Sequence, residues 1–256
     1  MSNSERFTHL AELYAKYRPG YPKELFDYLY TEGSFSPQSR IADIGAGTGI
    51  FTAELLMRGS CVYAVEPNAD MRNRMISSLG GKSNFTPVDA DAEHTALEDN
   101  SVDFVTAAQA FHWFDNQAFA LECRRILKPG GKIVLVWNTR DSASPMVQEN
   151  EAIFRKLCRD FHGFSGGTGF SSDFGETPDK IAAFYTSFES RIFANDLIYT
   201  KDSFIGKSLS SSYAPKQGDS EYEPFIQALS DLFDRYQTLD GTMLFPNYVR
   251  CYLGTV

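Results

Sequence analysis

Between Arg40 and Thr139 short apolar runs alternate with stretches of helix length, a pattern that predicts repeated strand–helix–strand units and a mostly parallel sheet. Five strands are expected there: Ile41 to Ile44, Val62 to Glu66, Phe85 to Asp89, Val102 to Ala107 and Ile133 to Asn138. Their Val, Ile and Phe content suits strands covered on both faces. The intervening segments carry helical spacing, with Phe51, Leu55 and Leu56 in one, Met71 and Met75 in the next, and Phe119, Cys123, Ile126 and Leu127 in the last. The run LKPGGK closes that last helix, Pro129 and Gly130 supplying a break and a turn.

The flanks follow other patterns. Residues 5 to 17 read as an amphipathic helix with Phe7, Leu10, Leu13 and Tyr14 on one side, after which RPGYP forces a turn. Beyond Asn138 the spacing predicts a helix from about Pro145 to Phe161, a glycine- and serine-rich loop from Gly163 to Ser172 and a further short helix. Two late strands are expected, one near Arg191 to Leu197 and one over Tyr248 to Leu253, with residues 203 to 240 read as helices inserted in that last hairpin. The chain is expected to be a single domain over residues 1–256, with residues 1–38 as N-terminal cap helices, 39–140 as the cofactor-binding core and 141–256 as acceptor-side elaborations plus the last two strands.

Composition narrows the function classes. At 43% hydrophobic and 22% charged residues the chain is ordinary globular protein, with no low-complexity tract. A net charge of -9 and no basic cluster argue against a nucleic-acid partner. Cys61, Cys123, Cys158 and Cys251 lie too far apart for a CxxC pair and read as reduced thiols. The polar start is not an export signal and no apolar run is long enough to span a membrane, so a cytoplasmic chain is expected, and the sequon at Asn84 and Thr86 carries no weight. No HExxH or paired cysteine site accompanies His9, His94, His112 and His162, so no metal is expected.

The first strand runs into Asp43-Ile44-Gly45-Ala46-Gly47-Thr48-Gly49, and a helix follows. Glycines there let backbone pass close to a ligand beneath a helix N-terminus. Glu66 closes the second strand about twenty residues on, where a carboxylate can accept both hydroxyls of an adenosine ribose. Two adenosine cofactors fit that description. A dinucleotide needs GxGxxG/A, whereas Ile50 occupies the sixth position here and the glycines fall as GxGxG, which counts against NAD.

Several segments, taken in order over residues 14 to 139, resemble the class I S-adenosylmethionine (SAM)-dependent methyltransferases, in particular those acting on small molecules: IADIGAGTG, AVEPNADM, DADAEHTAL, VDFVTAAQAFHWFD and LKPGGKIVLVWNTRD. The resemblance implies a doubly wound α/β fold, with a mostly parallel seven-stranded sheet and an antiparallel last strand, the Rossmann-like methyltransferase fold, plus helical caps at both ends. It also implies SAM as cofactor and S-adenosylhomocysteine as product. Asp43 belongs to the first motif. Gly45, Ala46, Gly47 and Gly49 would border the methionine part, Glu66 would hold the ribose, Asp91 and the Ala92 amide would read the adenine, Pro67 and Met71 would pack on it, and Gln109 with Ala110 would lie under the methionine. YRPGYP resembles a segment that covers the cofactor in this subgroup. Arg18 would then pair with the SAM carboxylate, or else be a surface arginine beside a proline turn. Tyr14 and Tyr17 would face the sulfonium or simply pack their helix.

The acceptor is expected at the carboxyl edge of the sheet. His112 and Trp113 follow the fourth strand there. His112 would act as general base for a phenol or amine, or serve as pocket wall, and an acceptor carboxylate needs no base. Trp137 and Asn138 end the fifth strand on the same edge; Trp137 reads equally as a core aromatic. Tyr213, closing SLSSSY, matches a feature of the subgroup's C-terminal insertion. The expected partner is a small-molecule acceptor, the chain being a monomer or homodimer, and the alternative from outside enzymology is a non-catalytic SAM-binding or regulatory protein. Gly163-Phe164-Ser165-Gly166-Gly167 fits GxSxG but follows a predicted helix rather than a strand, which argues against a hydrolase. The triplets Gly81-Lys82-Ser83 and Gly206-Lys207-Ser208 lack the P-loop's earlier glycine, Ile76 and Lys201 standing there.

Overall fold

The computed structural model describes residues 20–164 and 179–256. After helix α1 (Lys23–Thr31), the elements alternate as β1 (Arg40–Ile44), α2 (Ile50–Met57), β2 (Cys61–Val65), α3 (Ala69–Leu79), β3 (Phe85–Val88), β4 (Val102–Ala108), a short 3₁₀ turn (Phe111–Trp113), α4 (Asn116–Ile126) and β5 (Leu127–Arg140). Then follow α5 (Pro145–Leu157), α6 (Asp179–Phe184), β6 (Ser187–Ala194), β7 (Leu197–Tyr199), α7 (Lys201–Leu209), α8 (Tyr222–Tyr236), β8 (Met243–Phe245) and β9 (Asn247–Thr255). Among the described residues no helix is long and apolar enough to cross a membrane.

The main sheet has the order β3-β2-β1-β4-β5-β9-β6. Strands β1 to β5 pair in parallel, and β9 runs antiparallel to both β5 and β6. This is the expected seven-stranded Rossmann-like methyltransferase fold, with the last strand reversed. Strand order turns back between β1 and β4, so loops leaving their carboxyl ends diverge and a crevice opens there.

Side-chain alternation sends successive residues of each strand to opposite faces. Ile41, Val62, Ala64, Val134 and Val136 meet α1, α2 and α3 through Leu25, Phe26, Leu55 and Met75. Ala42, Ile44, Val105, Ile133 and Leu135 meet Phe119, Cys123 and Ile126 of α4 and Phe184 of α6. A third cluster stands apart from these two, formed by Phe154 of α5, Phe204 of α7, Phe225 and Leu229 of α8, and Tyr199 and Phe245 of the small β7–β8 sheet.

Helix α1 lies within the span expected to hold cap helices, and it buries Leu25, Phe26, Tyr28 and Leu29. Three elements depart from the sequence reading. LKPGGK does not stand between helix and strand. Leu127 already pairs with Val102 and the ladder resumes at Lys132 opposite Phe104, so Lys128 to Gly131 form a bulge within β5, with Gly130 at φ 82°. The sixth strand begins at Ser187, earlier than predicted, because it is a mostly exposed edge with no apolar stripe, and Leu197 belongs instead to β7. Helix α5 stops at Leu157, short of Phe161.

Gly254 shows how tightly the reversed strand is seated. A Cβ there would lie 2.2 Å from the Ser187 carbonyl oxygen and 2.6 Å from Phe188 Cβ. Gly254→Ala is expected to destabilise the fold by about 2–3 kcal/mol, since backbone must shift to admit the methyl. Urea unfolding measures this directly, and a midpoint equal to that of the wild type would contradict the packing described.

Candidate active site

The loop after β1 is anchored from below. Gly45 and Ala46 both donate to the Val65 carbonyl, at 2.9 and 3.0 Å, and Gly49 donates to Ala46 before α2 begins. Its three glycines have different reasons to be there. All sit at positive φ, but a Cβ on Gly45 would come within 2.5 Å of Ala110 Cβ, and one on Gly49 within 2.8 Å of Met75 and Leu79. Those two serve close packing. At Gly47 (φ 58°) a Cβ would meet nothing within 4 Å among the described residues, so the backbone there faces open space between them.

That space is a crevice with about 380 Å³ of empty volume including its mouth, bounded by the glycine loop, Asp43, Tyr21, Phe51, Ala108 and Gln109. Thr48 also lines it. Its side chain is buried, and Oγ1 has no hydrogen-bond partner among the described residues. A buried hydroxyl without a partner is costly unless a ligand satisfies it.

Glu66 stands directly after β2, 8% exposed. Its Oε2 accepts from the Gly47 amide at 2.8 Å and its Oε1 from the Asn68 amide at 2.9 Å. Burial pushes its carboxyl above the ordinary range, and these two amides work in the opposite direction. Each oxygen keeps a further lone pair, so the carboxylate can still accept two ligand hydroxyls. Arg72, which sequence reasoning missed, braces this corner: it donates to the Glu66 carbonyl at 2.7 Å and the Pro67 carbonyl at 3.1 Å, and pairs with Asp89 at 2.7 Å. It thereby ties the ends of β2 and β3 together.

Asp43 and Gln109 form the floor. Asp43 is 1% exposed, and its oxygens accept from the hydroxyls of Thr52 at 2.6 Å and Thr106 at 2.7 Å. Burial pushes its carboxyl up to about 6, against the pull of those hydroxyls. Its ionised form therefore costs stability as pH rises from about 4 to 6, a cost that a nearby ligand cation would offset. Gln109 adopts φ 57°, a left-handed conformation unusual outside glycine, and the Val136 carbonyl holds its amide at 2.8 Å.

Comparison with known proteins agrees with this geometry. Residues 42–135 match the family model described as a methyltransferase domain. An uncharacterized methyltransferase of Mycobacterium tuberculosis is 40% identical over 136 residues, 53% of each chain, and one of Schizosaccharomyces pombe is 35% identical over 150 residues, 57% of each. The chain spans about half the length of these curated relatives. A candidate type II methyltransferase structure from Anaeromyxobacter dehalogenans superposes with TM-score 0.55 at 25% identity, covering 93% of this chain and 95% of that one. Phosphoethanolamine N-methyltransferase 2 of Haemonchus contortus, solved with phosphomonomethylethanolamine and S-adenosylhomocysteine, superposes with TM-score 0.54 at 15% identity, over 99% of this chain and 57% of that one. Residues 42–135 are a methyltransferase domain.

Within the methyltransferase domain, the segment from Asp89 to Leu97 has no regular structure and is pinned by two glutamates. Glu93 accepts from the Asp115 amide at 2.7 Å, and Glu122 accepts from the Thr95 amide at 2.8 Å and the Thr95 hydroxyl at 2.5 Å. Arg125 completes the second clamp, donating to Glu122, the Leu97 carbonyl and Asp99. Just ahead of these anchors Asp91 stays exposed, 3.4 Å from His94, while Ala92 is buried. Met71 is buried on α3 and Pro67 exposed before it, both on the Glu66 side.

On the acceptor side the expected residues divide. His112 and Trp113 sit half-buried in the 3₁₀ turn with ring centroids 4.9 Å apart. Trp137 is 3% exposed and packed edge-on against Phe111 and Tyr252. Asn138 is buried, and its side-chain amide is engaged by Gly20 and Asn195. Tyr213 packs on Phe154 and Phe161 in the third cluster. Tyr14, Tyr17, Arg18 and Ser165 lie outside the described residues. Gly163 and Phe164 follow α5 rather than a strand, so the strand-to-helix setting of a hydrolase nucleophile is missing there.

The Glu122 clamp predicts an acid response. Burial alone would raise its carboxyl, but the Arg125 guanidinium and the Thr95 donors outweigh that and hold it at about 2. A depressed acid stabilises the folded state fully above its ordinary value near 4.5 and loses that contribution as pH falls toward 2. Glu122→Gln should therefore be less stable than wild type at pH 7, by on the order of 3 kcal/mol, with the gap closing in acid. Urea melts between pH 3 and 7 measure it; a gap independent of pH would count against the clamp.

Proposed function

We propose that the chain is a SAM-dependent methyltransferase acting on a small-molecule acceptor. The observation that carries this reading is the joint between Gly47 and Glu66: bare backbone facing open space, bonded to a carboxylate with acceptor capacity left for a ribose. The fit extends to the unpartnered Thr48 hydroxyl and the buried Asp43 carboxylate at the same crevice. These suit the polar, cationic amino-acid end of SAM better than a pyrophosphate, which two carboxylates would repel.

SAM supplies a methyl group already activated on a sulfonium. The chain's own residues then have to bind, orient and exclude water. In this reading Gly45, Ala46, Gly47 and Gly49 shape the loop beside the methionine, and Gln109 and Ala110 lie beneath it. Glu66 grips the ribose, Asp91 and Ala92 read the adenine, and Pro67 with Met71 flanks it. Arg18 pairs with the carboxylate, and Tyr14 and Tyr17 complete the cover. His112 and Trp113 face the acceptor, His112 taking its proton where the acceptor is a phenol or amine. Tyr213 contributes from the C-terminal insertion.

Calorimetry with SAM, S-adenosylhomocysteine and NAD decides the cofactor. The first two should bind and NAD should not; binding of NAD alone would overturn the reading. Methyl transfer to any acceptor in a metabolite panel then separates an enzyme from a SAM-binding regulator, transfer being the expected result. Glu66→Ala should weaken SAM binding by about 1–3 kcal/mol, the cost of losing charge-assisted bonds to two hydroxyls. Unchanged affinity in that variant would refute the ribose assignment.

A further inference from the structure

Gly20 directly precedes Tyr21 of the crevice lining, and two asparagines hold its carbonyl. Asn195, in the turn after β6, donates through Nδ2 to Asn138 Oδ1 at 2.7 Å and to the Gly20 carbonyl at 3.3 Å. Asn138 Nδ2 donates to the same carbonyl, also at 3.3 Å. The Asn138 backbone carbonyl accepts in turn from Gln109 Nε2 at 3.0 Å. The turn itself is fixed by the Asn195 amide, which donates to the Asn247 carbonyl at 3.0 Å.

The residue after Gly20 is Tyr21, which lines the same crevice as Gln109 and meets Phe51 edge-on at 5.1 Å. One cluster of amides therefore reaches two residues that line the crevice, Tyr21 through Gly20 and Gln109 through Asn138. We propose that Asn195 and Asn138 are positioning residues that hold Tyr21 and Gln109 at the separation the cofactor requires. Neither lines the crevice. Their effect is preorganisation: glycine at position 20 leaves the incoming backbone free to rotate, and a wall that must be ordered on binding subtracts from affinity. The clamp also makes cofactor affinity depend on the β6–β7 turn, which belongs to the acceptor-side half of the chain.

This inference rests on the crevice being a SAM site, so the probe is S-adenosylhomocysteine, titrated calorimetrically into wild type, Asn195→Ala, Tyr21→Ala and the double variant of the full chain. Asn195→Ala should raise the dissociation constant about five- to tenfold, the effect of losing one or two neutral hydrogen bonds. Because Asn195 acts through Tyr21, the double variant should bind no more than about twofold more weakly than Tyr21→Ala alone. A residue with a merely structural role would move the unfolding temperature and leave that coupling absent. Unchanged affinity in Asn195→Ala, or fully additive losses, overturns the clamp while leaving the cofactor reading intact. If Asn195→Ala does not fold, Asn195→Asp keeps the shape without the donor hydrogens and completes the same cycle. A wild type that fails to bind S-adenosylhomocysteine brings down the cofactor reading and the clamp together.

Discussion

The hydrogen bond from the Gly47 amide to Glu66 is the contact on which the rest of the site depends. It joins the loop leaving β1 to the residue leaving β2, the parallel strand that neighbours β1 on the side away from β4, next to the point where strand order turns back. A parallel sheet leaves its strand ends splayed at this edge, and something must hold them at a fixed spacing. Here a charged acceptor does so with backbone donors, which leaves no side chain between the loop and the open space above it. Arg72 braces the far side of the same corner by capping the Glu66 and Pro67 carbonyls.

Three buried carboxylates in this half of the chain show how environment separates roles. Asp43 lines the crevice and Glu66 bonds the Gly47 amide of its lining, and burial raises both above the ordinary carboxylate range. Glu122 lies away from it, paired with Arg125 and Thr95, and is held at about 2. The first two meet only neutral hydroxyls and amides at hydrogen-bonding distance, so each carries a desolvation cost that an incoming cation or pair of hydroxyls offsets. Glu122 has its cation already, and its work is to hold Thr95 and with it the segment that carries Asp91 and Ala92. A groove poised for a ligand and a clamp complete without one differ in whether the compensating charge is built into the protein.

Much of this was legible in the residues because buried parallel strands are near-continuous apolar runs, and β1 to β5 fell close to where those runs predicted. Glu66 was found by its spacing from the glycines, which reflects the length of one strand–helix–strand unit. The exposed edge strand β6 carried no such stripe and was misplaced, and the bulge at Lys128 to Gly131 looked like a plain turn. Trp137 reads as pocket wall and as core aromatic, and strand alternation puts it on the face shared by Ile133 and Leu135, which α4 covers. Thr48 and Tyr21 stand inside quoted motifs without a role of their own, and Arg72 and Asn195 stand in none. Their roles come from contacts between strand ends, helix starts and a distant turn, and no local pattern in the chain encodes those meetings.

The central claim is that the bare backbone at Gly47 and the carboxylate of Glu66 together receive an adenosyl ligand. A crystal structure of the chain grown with S-adenosylhomocysteine tests it most directly. The account predicts ribose hydroxyls on the free lone pairs of Glu66 while the Gly47 bond persists, with the amino-acid chain of the ligand passing over Gly47 toward Thr48 and Asp43. Ligand density at another place in the molecule, or a ribose that leaves Glu66 bonded only to Gly47 and Asn68, would contradict it.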